Sequence, residues 1–274
     1  MSLIEALVLG IVQGLTEFLP ISSTAHLRIV PAFVGWDDPG AAFTAVVQLG
    51  TMAAVLLYFR ADLWRIARAW CGSLRPGHRA ADLDARLGWY LIAGTVPIVV
   101  FGALFERQIE TGARSLYLMG STLIALGLVL LAAERVGSHR RPLESISARE
   151  GVLVGLAQAA ALIPGVSRSG ATISAGLFLG LNRPAAARFS FLLSVPAVVL
   201  SGVFQLIGIV RGDPGESGGF FGLAVATLLA FAVGYASIAF LLRWLASHST
   251  AVFVVYRVVL GVTVLGLAVA GVIS

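Results

Sequence analysis

The sequence has no lysine, one cysteine and few charges of either sign. Cys71, standing alone, excludes a disulfide framework within the chain and a thiol-rich metal site. Charged residues make up 12% of the 274 positions, against roughly 25% in a soluble domain. Hydrophobic residues make up 58%, and the mean hydropathy is +0.93. These values exclude an ordinary soluble fold and leave no room for a large soluble module. Residues 1–19 lack a basic start and a small-residue cleavage site, so they read as mature protein and not as a signal peptide. Every basic residue is arginine, and the net charge is +5. Most of these arginines fall in short loops, a pattern that fits membrane topology and anionic headgroups and does not call for nucleic acid.

What the chain does have is long apolar runs. A transmembrane helix needs about 20 such residues. Six runs qualify, at 41–59, 87–105, 115–133, 185–210, 220–242 and 251–273. Residues 61–71 mix Trp64, Ile66 and Trp70 with arginines and read as an interfacial helix. Two further apolar stretches are broken. The first, 3–19 and 25–33, is interrupted by Pro20 and Ser22-Ser23-Thr24. The second, 151–163 and 171–181, is interrupted by Pro164-Gly165-Val166-Ser167-Arg168-Ser169-Gly170. Irregular backbone at membrane depth is tolerated only inside protein or along a cavity. Each broken stretch therefore reads as a re-entrant helix pair. Arginine-rich segments 60–86, 134–150 and 243–248 belong on the cytoplasmic side. Loops 106–114 and 211–219, and both termini, then lie outside.

The two broken stretches are related. Glu5 through Gln13 aligns with Glu150 through Gln158 at a constant offset of 145. The expected fold is an all-α polytopic membrane protein, a single membrane domain 1–274 with repeat halves of about 1–135 and 145–274. Each half holds one re-entrant pair and three spans. Three is odd, so the second half is expected to be inverted relative to the first. Such inverted repeats are a transporter architecture, and they also suit an enzyme with a polar site inside the bilayer.

The chemistry sits at the breaks. An ionisable group in apolar sequence is a functional-site hypothesis by default. Arg168 offers a planar fork of donors suited to phosphate. Ser167, Ser169 and Thr172 add hydroxyls, and Gly165 and Gly170 let the backbone turn. Ala171 is expected to open a helix whose positive end also favours an anion. Gln13 and Glu17, four apart, share a helix face. With Ser22, Ser23 and Thr24 nearby, they suit a hard divalent cation, Mg²⁺ or Ca²⁺. His26 is a candidate nucleophile or general acid–base. Blander readings stand beside these. Glu17 and Arg168 would pair only to hold two helices together, and His26 would serve only at a helix start. Gln48, Tyr256 and Arg257 either line a cavity or merely pack.

The segment Gly10-Ile-Val-Gln13-Gly-Leu-Thr-Glu17-Phe-Leu-Pro-Ile-Ser-Ser-Thr-Ala-His26 resembles the first signature of the bacterial undecaprenyl-diphosphate phosphatases of the bacitracin-resistance type. Residues 164–172 resemble the second, and the likeness continues through Phe189-Ser-Phe-Leu-Leu-Ser-Val-Pro196. Gln13 stands where many members have glutamate. The resemblance implies hydrolysis of undecaprenyl diphosphate to undecaprenyl phosphate, a lipid carrier for cell-wall precursors, with resistance to bacitracin. It implies that Glu17, His26, Ser23 and Arg168 are catalytic. Ser22, Thr24, Ser167, Ser169, Gly170 and Thr172 would bind substrate, and Gln13 and Glu17 would hold the metal. The nucleophile stays open between Ser23, His26 and water. The resemblance further implies a bacterial inner-membrane location and a site opening to the external side. A carrier that flips a polyprenyl phosphate is the rival reading. A homodimer is compatible with the sequence, which does not set the oligomeric state.

Overall fold

The computed structural model describes residues 1–75, 82–105, 115–210 and 220–273. The loops expected outside, at 106–114 and 211–219, lie beyond the described residues. Among the described residues the chain forms eleven α-helices and no β-sheet. They are α1 (Leu3–Phe18), α2 (Ser23–Val34), α3 (Gly40–Tyr58), α4 (Arg60–Ser73), α5 (Leu83–Leu104), α6 (Leu116–Val136), α7 (Ala148–Ala159), α8 (Arg168–Phe178), α9 (Arg183–Val210), α10 (Phe220–Ser247) and α11 (Ala251–Val269).

Five of these, α5, α6, α9, α10 and α11, are long and apolar enough to cross a membrane. The expected sixth span is α3, which meets α4 through a 72° bend. The apolar run stops at Phe59, and Arg60, Arg65 and Arg68 follow in α4. That helix buries Ile66 and leaves Trp64 72% exposed, as an interfacial helix should. On α11 the residues left exposed include Val255, Val259 and Val262, a stripe at helical spacing that suits lipid.

The four remaining helices are half-length. At 16 residues, α1 reaches only about 24 Å, short of the roughly 30 Å hydrocarbon core. With 12 and 11 residues, α7 and α8 are shorter still. Both α1 and α7 open on the same device. Ser2 and Ser147 accept from the backbone N–H of Glu5 and Glu150, whose side chains accept in return from the cap backbone. These serines are 145 positions apart. Arg141 adds a hydrogen-bonded ion pair to Glu150 at 2.5 Å, and that contact holds the Glu150 carboxyl down at about 2.

The offset recurs in packing. A Cβ added to Gly10 would lie 2.5 Å from the backbone oxygen of Ala226, and one added to Gly155 would lie 2.1 Å from that of Gly94. Small residues let helices approach this closely in a membrane. Thus α1 packs on α10, and α7 packs on α5. The first helix of each broken stretch thus leans on a spanning helix from the other half of the chain. The two last spans of each half, α6 and α11, pack on one another. Below the first break an aromatic core forms, with Phe18 5.6 Å and Phe59 6.1 Å from the ring of Phe191.

Three boundaries differ from expectation. Helix α8 begins at Arg168 and not at Ala171, because Ser167 caps it by accepting from Gly170 N–H. Gly165 does turn the chain, at φ +86°, but Gly170 lies inside the helix. The second turning residue is Ser167, at φ +71°. Finally, α10 carries on through Arg243 to Ser247, so the turn expected at 243–248 shrinks to its end.

Candidate active site

The two breaks meet. Each ends in a serine with left-handed backbone, Ser22 at φ +76° and Ser167 at φ +71°. Non-glycine residues there cost on the order of 1–3 kcal/mol, strain that gathers at functional sites. The strained serine turns the chain so that the next residue opens a helix. In the first break that residue is Ser23, and in the second it is Arg168. Both reach Glu17. Ser23 Oγ donates to Glu17 Oε2 at 2.6 Å, and Arg168 Nη2 donates to Glu17 Oε1 at 2.6 Å. Gln13 Nε2 also donates to Oε2, at 3.1 Å, from one turn back on α1. The Glu17–Arg168 pair is largely shielded, with side chains 7% and 15% exposed.

Gln13, Glu17, Ser23 and Arg168 therefore form one cluster, as the sequence suggested. The pairing of Glu17 with Arg168 does join two helices, but it does so beside a hydroxyl. Arg168 spends one of its five N–H donors on Glu17 and, among the described residues, makes no other side-chain hydrogen bond. The remaining expected residues are placed differently. Ser22 and Thr24 hydroxyls pair with one another at 3.1 Å, and Ser167 and Ser169 do the same at 3.2 Å. Ser169 also donates to the Leu19 carbonyl, stitching the second break to the first. Thr172 is buried against Ser190, 2.5 Å between hydroxyl oxygens. Gly170 supplies its N–H to the Ser167 cap. Ser22 makes no equivalent cap for α2, which leaves that helix end without a side-chain acceptor. Such an end, aimed at a cluster with Arg168, suits an anion.

His26 stands apart from Ser23. Its Nδ1 contacts the Ser22 carbonyl and its Nε2 the Tyr256 hydroxyl, each at 2.7 Å. The Ser23–His26 pairing weighed from sequence is not formed here; the partner of Ser23 is Glu17.

Sequence reasoning underrated Arg257. It is fully buried and, among the described residues, donates only to carbonyls: Pro20, Thr122, Leu123, Gly165 and Val166. Pro20 and Gly165 are again 145 apart, so one guanidinium holds the same position of both breaks. Among the described residues no carboxylate pairs with it. With Glu17 and Arg168 cancelling, the junction carries a net positive charge, which favours a phosphorylated ligand. The available signal was the intramembrane charge itself.

For a divalent cation the donors are partly suited. Gln13 Oε1 is buried with no hydrogen-bond partner, next to the Glu17 carboxylate. An orphaned amide oxygen beside a carboxylate fits a hard cation. Among the described residues no group of three or more His, Cys, Asp and Glu could hold a metal. The other ligands would thus have to be substrate oxygens and water.

Comparison with known proteins places the chain in a family. The bacitracin resistance protein BacA family matches residues 6–263. The chain is 56% identical over 271 residues to an undecaprenyl-diphosphatase of Nocardioides sp. (strain ATCC BAA-499 / JS614), covering 99% of this chain and 98% of that one. It is 54% identical to an undecaprenyl-diphosphatase of Chlorobium phaeobacteroides (strain BS1), covering 97% of each. A third, from Nocardia farcinica (strain IFM 10152), is 52% identical over all of this chain and 98% of that one. The junction of two broken helices is thus set in a chain similar to these enzymes from end to end, and the protein belongs to the bacitracin resistance protein BacA family.

Proposed function

We propose that this multi-pass membrane protein is an undecaprenyl-diphosphate phosphatase whose site is the junction of the two breaks. The observation that carries the site assignment is the double engagement of Glu17, by Ser23 from its own half and by Arg168 from the other. The substrate is a lipid diphosphate, released as undecaprenyl phosphate and inorganic phosphate. Its polyprenyl chain stays among the apolar helices while the diphosphate enters the junction.

The residues then have distinct tasks. The incoming diphosphate competes with Glu17 for Arg168, whose unused N–H groups clamp the transferring phosphoryl group. Glu17, no longer held on that side, takes the proton of Ser23. Ser23 Oγ attacks the terminal phosphorus, and undecaprenyl phosphate leaves. Water then attacks the phosphoserine, giving a proton to His26 Nε2, and Glu17 returns its proton to Ser23 Oγ as inorganic phosphate is freed. The uncapped end of α2 and the net charge of Arg257 stabilise the negative charge that gathers on the phosphoryl oxygens. Gln13 and Glu17 would hold a Mg²⁺ or Ca²⁺ ion, which supplies Lewis-acid polarisation when bound. The two halves are inverted repeats, and the site opens to the external side of the bacterial inner membrane. That reading rests on the arginine distribution and on the exchange of packing partners between halves.

The test is phosphate release from undecaprenyl diphosphate by purified protein in detergent, with Mg²⁺, with Ca²⁺ and with chelator. Release by the wild type, lost in Glu17→Gln and Arg168→Ala variants that remain folded, is the expected result. Intact protein that binds the lipid but releases no phosphate would overturn the reading and favour a lipid carrier.

A further inference from the structure

His26 is only 5% exposed, and its ring is held at both nitrogens. Nδ1 lies 2.7 Å from the Ser22 carbonyl, one turn earlier on the same helix. A carbonyl only accepts, so Nδ1 carries the hydrogen. In the neutral ring Nε2 is then a bare lone pair, the nitrogen able to take a proton or attack. Its partner is the Tyr256 hydroxyl at 2.7 Å, which must be the donor. The two rings lie nearly parallel, 8° apart with centroids at 5.6 Å, so the contact also sets the ring plane. Tyr256 comes from α11, far along the chain, and is 43% exposed. It thus bridges a buried imidazole to the open side of the helix bundle. The next residue, Arg257, pins both breaks, so Tyr256 is anchored to the same frame as Glu17 and Arg168.

We propose that Tyr256 is the positioning residue for His26. The Ser22 carbonyl sets the tautomer, and the Tyr256 hydroxyl, by donating to Nε2, holds the imidazole in one ring orientation. This rests on the reading of the junction as a phosphatase site in which His26 serves the hydrolytic step. Without the hydroxyl, Nε2 loses its donor and the ring is held at Nδ1 alone.

Tyr256→Phe keeps the ring and deletes only the hydroxyl. It should lower kcat by about tenfold, the scale of one hydrogen bond, with KM changed less than twofold. In a His26→Gln background the same substitution should have no further effect. ¹⁵N spectra of histidine-labelled protein give a readout independent of turnover. The wild type should show one His26 resonance pair with Nδ1 protonated, identified by its loss in His26→Gln. Tyr256→Phe should shift the Nε2 signal while Nδ1 stays protonated on the Ser22 carbonyl. An unchanged kcat, an unchanged His26 spectrum, or an additive effect in the His26→Gln background would each overturn the proposal. A wild type that releases no phosphate would instead defeat the phosphatase reading, while the spectra would still report whether Tyr256 holds His26 Nε2.

Discussion

The two breaks share a backbone and divide the chemistry. Each turns through a left-handed serine, pairs that serine with a hydroxyl two residues on, and opens a helix with the next residue. The first adds Glu17, Ser23 and His26 and leaves its helix end uncapped. The second places Arg168 where the first has Ser23, and closes its helix end with Ser167. Position 162, equivalent to Glu17, is leucine, and position 171, equivalent to His26, is alanine. In the proposed reaction one break therefore acts and the other clamps. The lesson is that duplication supplies the frame, whereas the site is assembled from what the copies no longer share.

The largest expected effect comes from breaking the contact between copies. Glu17→Gln and Arg168→Ala should each reduce phosphate release by at least about 10²-fold, because the first removes the base for Ser23 and the second the positive charge that clamps the phosphoryl group. Single-turnover assays on folded variants check this.

Next is the residue that holds the copies together. Arg257→Met would strand carbonyls of both breaks without a donor, and should destabilise the protein by about 3 kcal/mol or more. Thermal unfolding in detergent measures it. A small loss would mean that the breaks keep their register without the guanidinium.

The paired glutamines sharpen the comparison. Gln13 donates to Glu17, while Gln158, its partner in the other copy, is fully buried with neither amide atom hydrogen-bonded. Gln13→Leu should cut phosphate release roughly tenfold. Gln158→Leu should leave release unchanged and raise stability by about 1 kcal/mol, since it removes unsatisfied polar atoms. Equal losses in both would show that the copies are not divided as described.

The smallest effect lies at the helix starts. Arg141 pulls the Glu150 carboxyl down from 4.5 to about 2. A depressed carboxyl contributes stability that is present above its unfolded value and is lost as pH falls through the folded one. The contribution should therefore fade between about pH 4.5 and 2. The pair is partly exposed, so its size should stay below about 1 kcal/mol. An acid-unfolding titration of Arg141→Ala against wild type reads it. The Ser2–Glu5 box has no arginine equivalent to Arg141 among its side-chain partners, and supplies the control.

Much of this was legible in one dimension. The apolar runs marked the spans, since backbone in lipid must satisfy itself within helices. The repeat from Glu5 to Gln13 and from Glu150 to Gln158 marked the duplication. Glu17 and Arg168 were visible because charge inside apolar sequence demands a partner. The helix start at Arg168 was missed because a serine at positive φ can cap a helix that residue preferences would begin later. The hydroxyls of Ser169 and Thr172 looked like phosphate ligands, but they bond to Leu19 and Ser190, contacts that no local pattern contains. Arg257 and Tyr256 looked like span residues of uncertain use for the same reason.

Composition and periodicity by themselves determined the membrane setting, the all-helical class and the set of ionisable groups at the breaks. Only the tertiary structure decided which group faces which. Glu17 meets both Ser23 and Arg168, His26 meets Tyr256, and Arg257 spans both breaks, because these contacts join residues six to 237 positions apart. Hydropathy depends on the residue alone, but a hydrogen bond depends on where two helices place their ends.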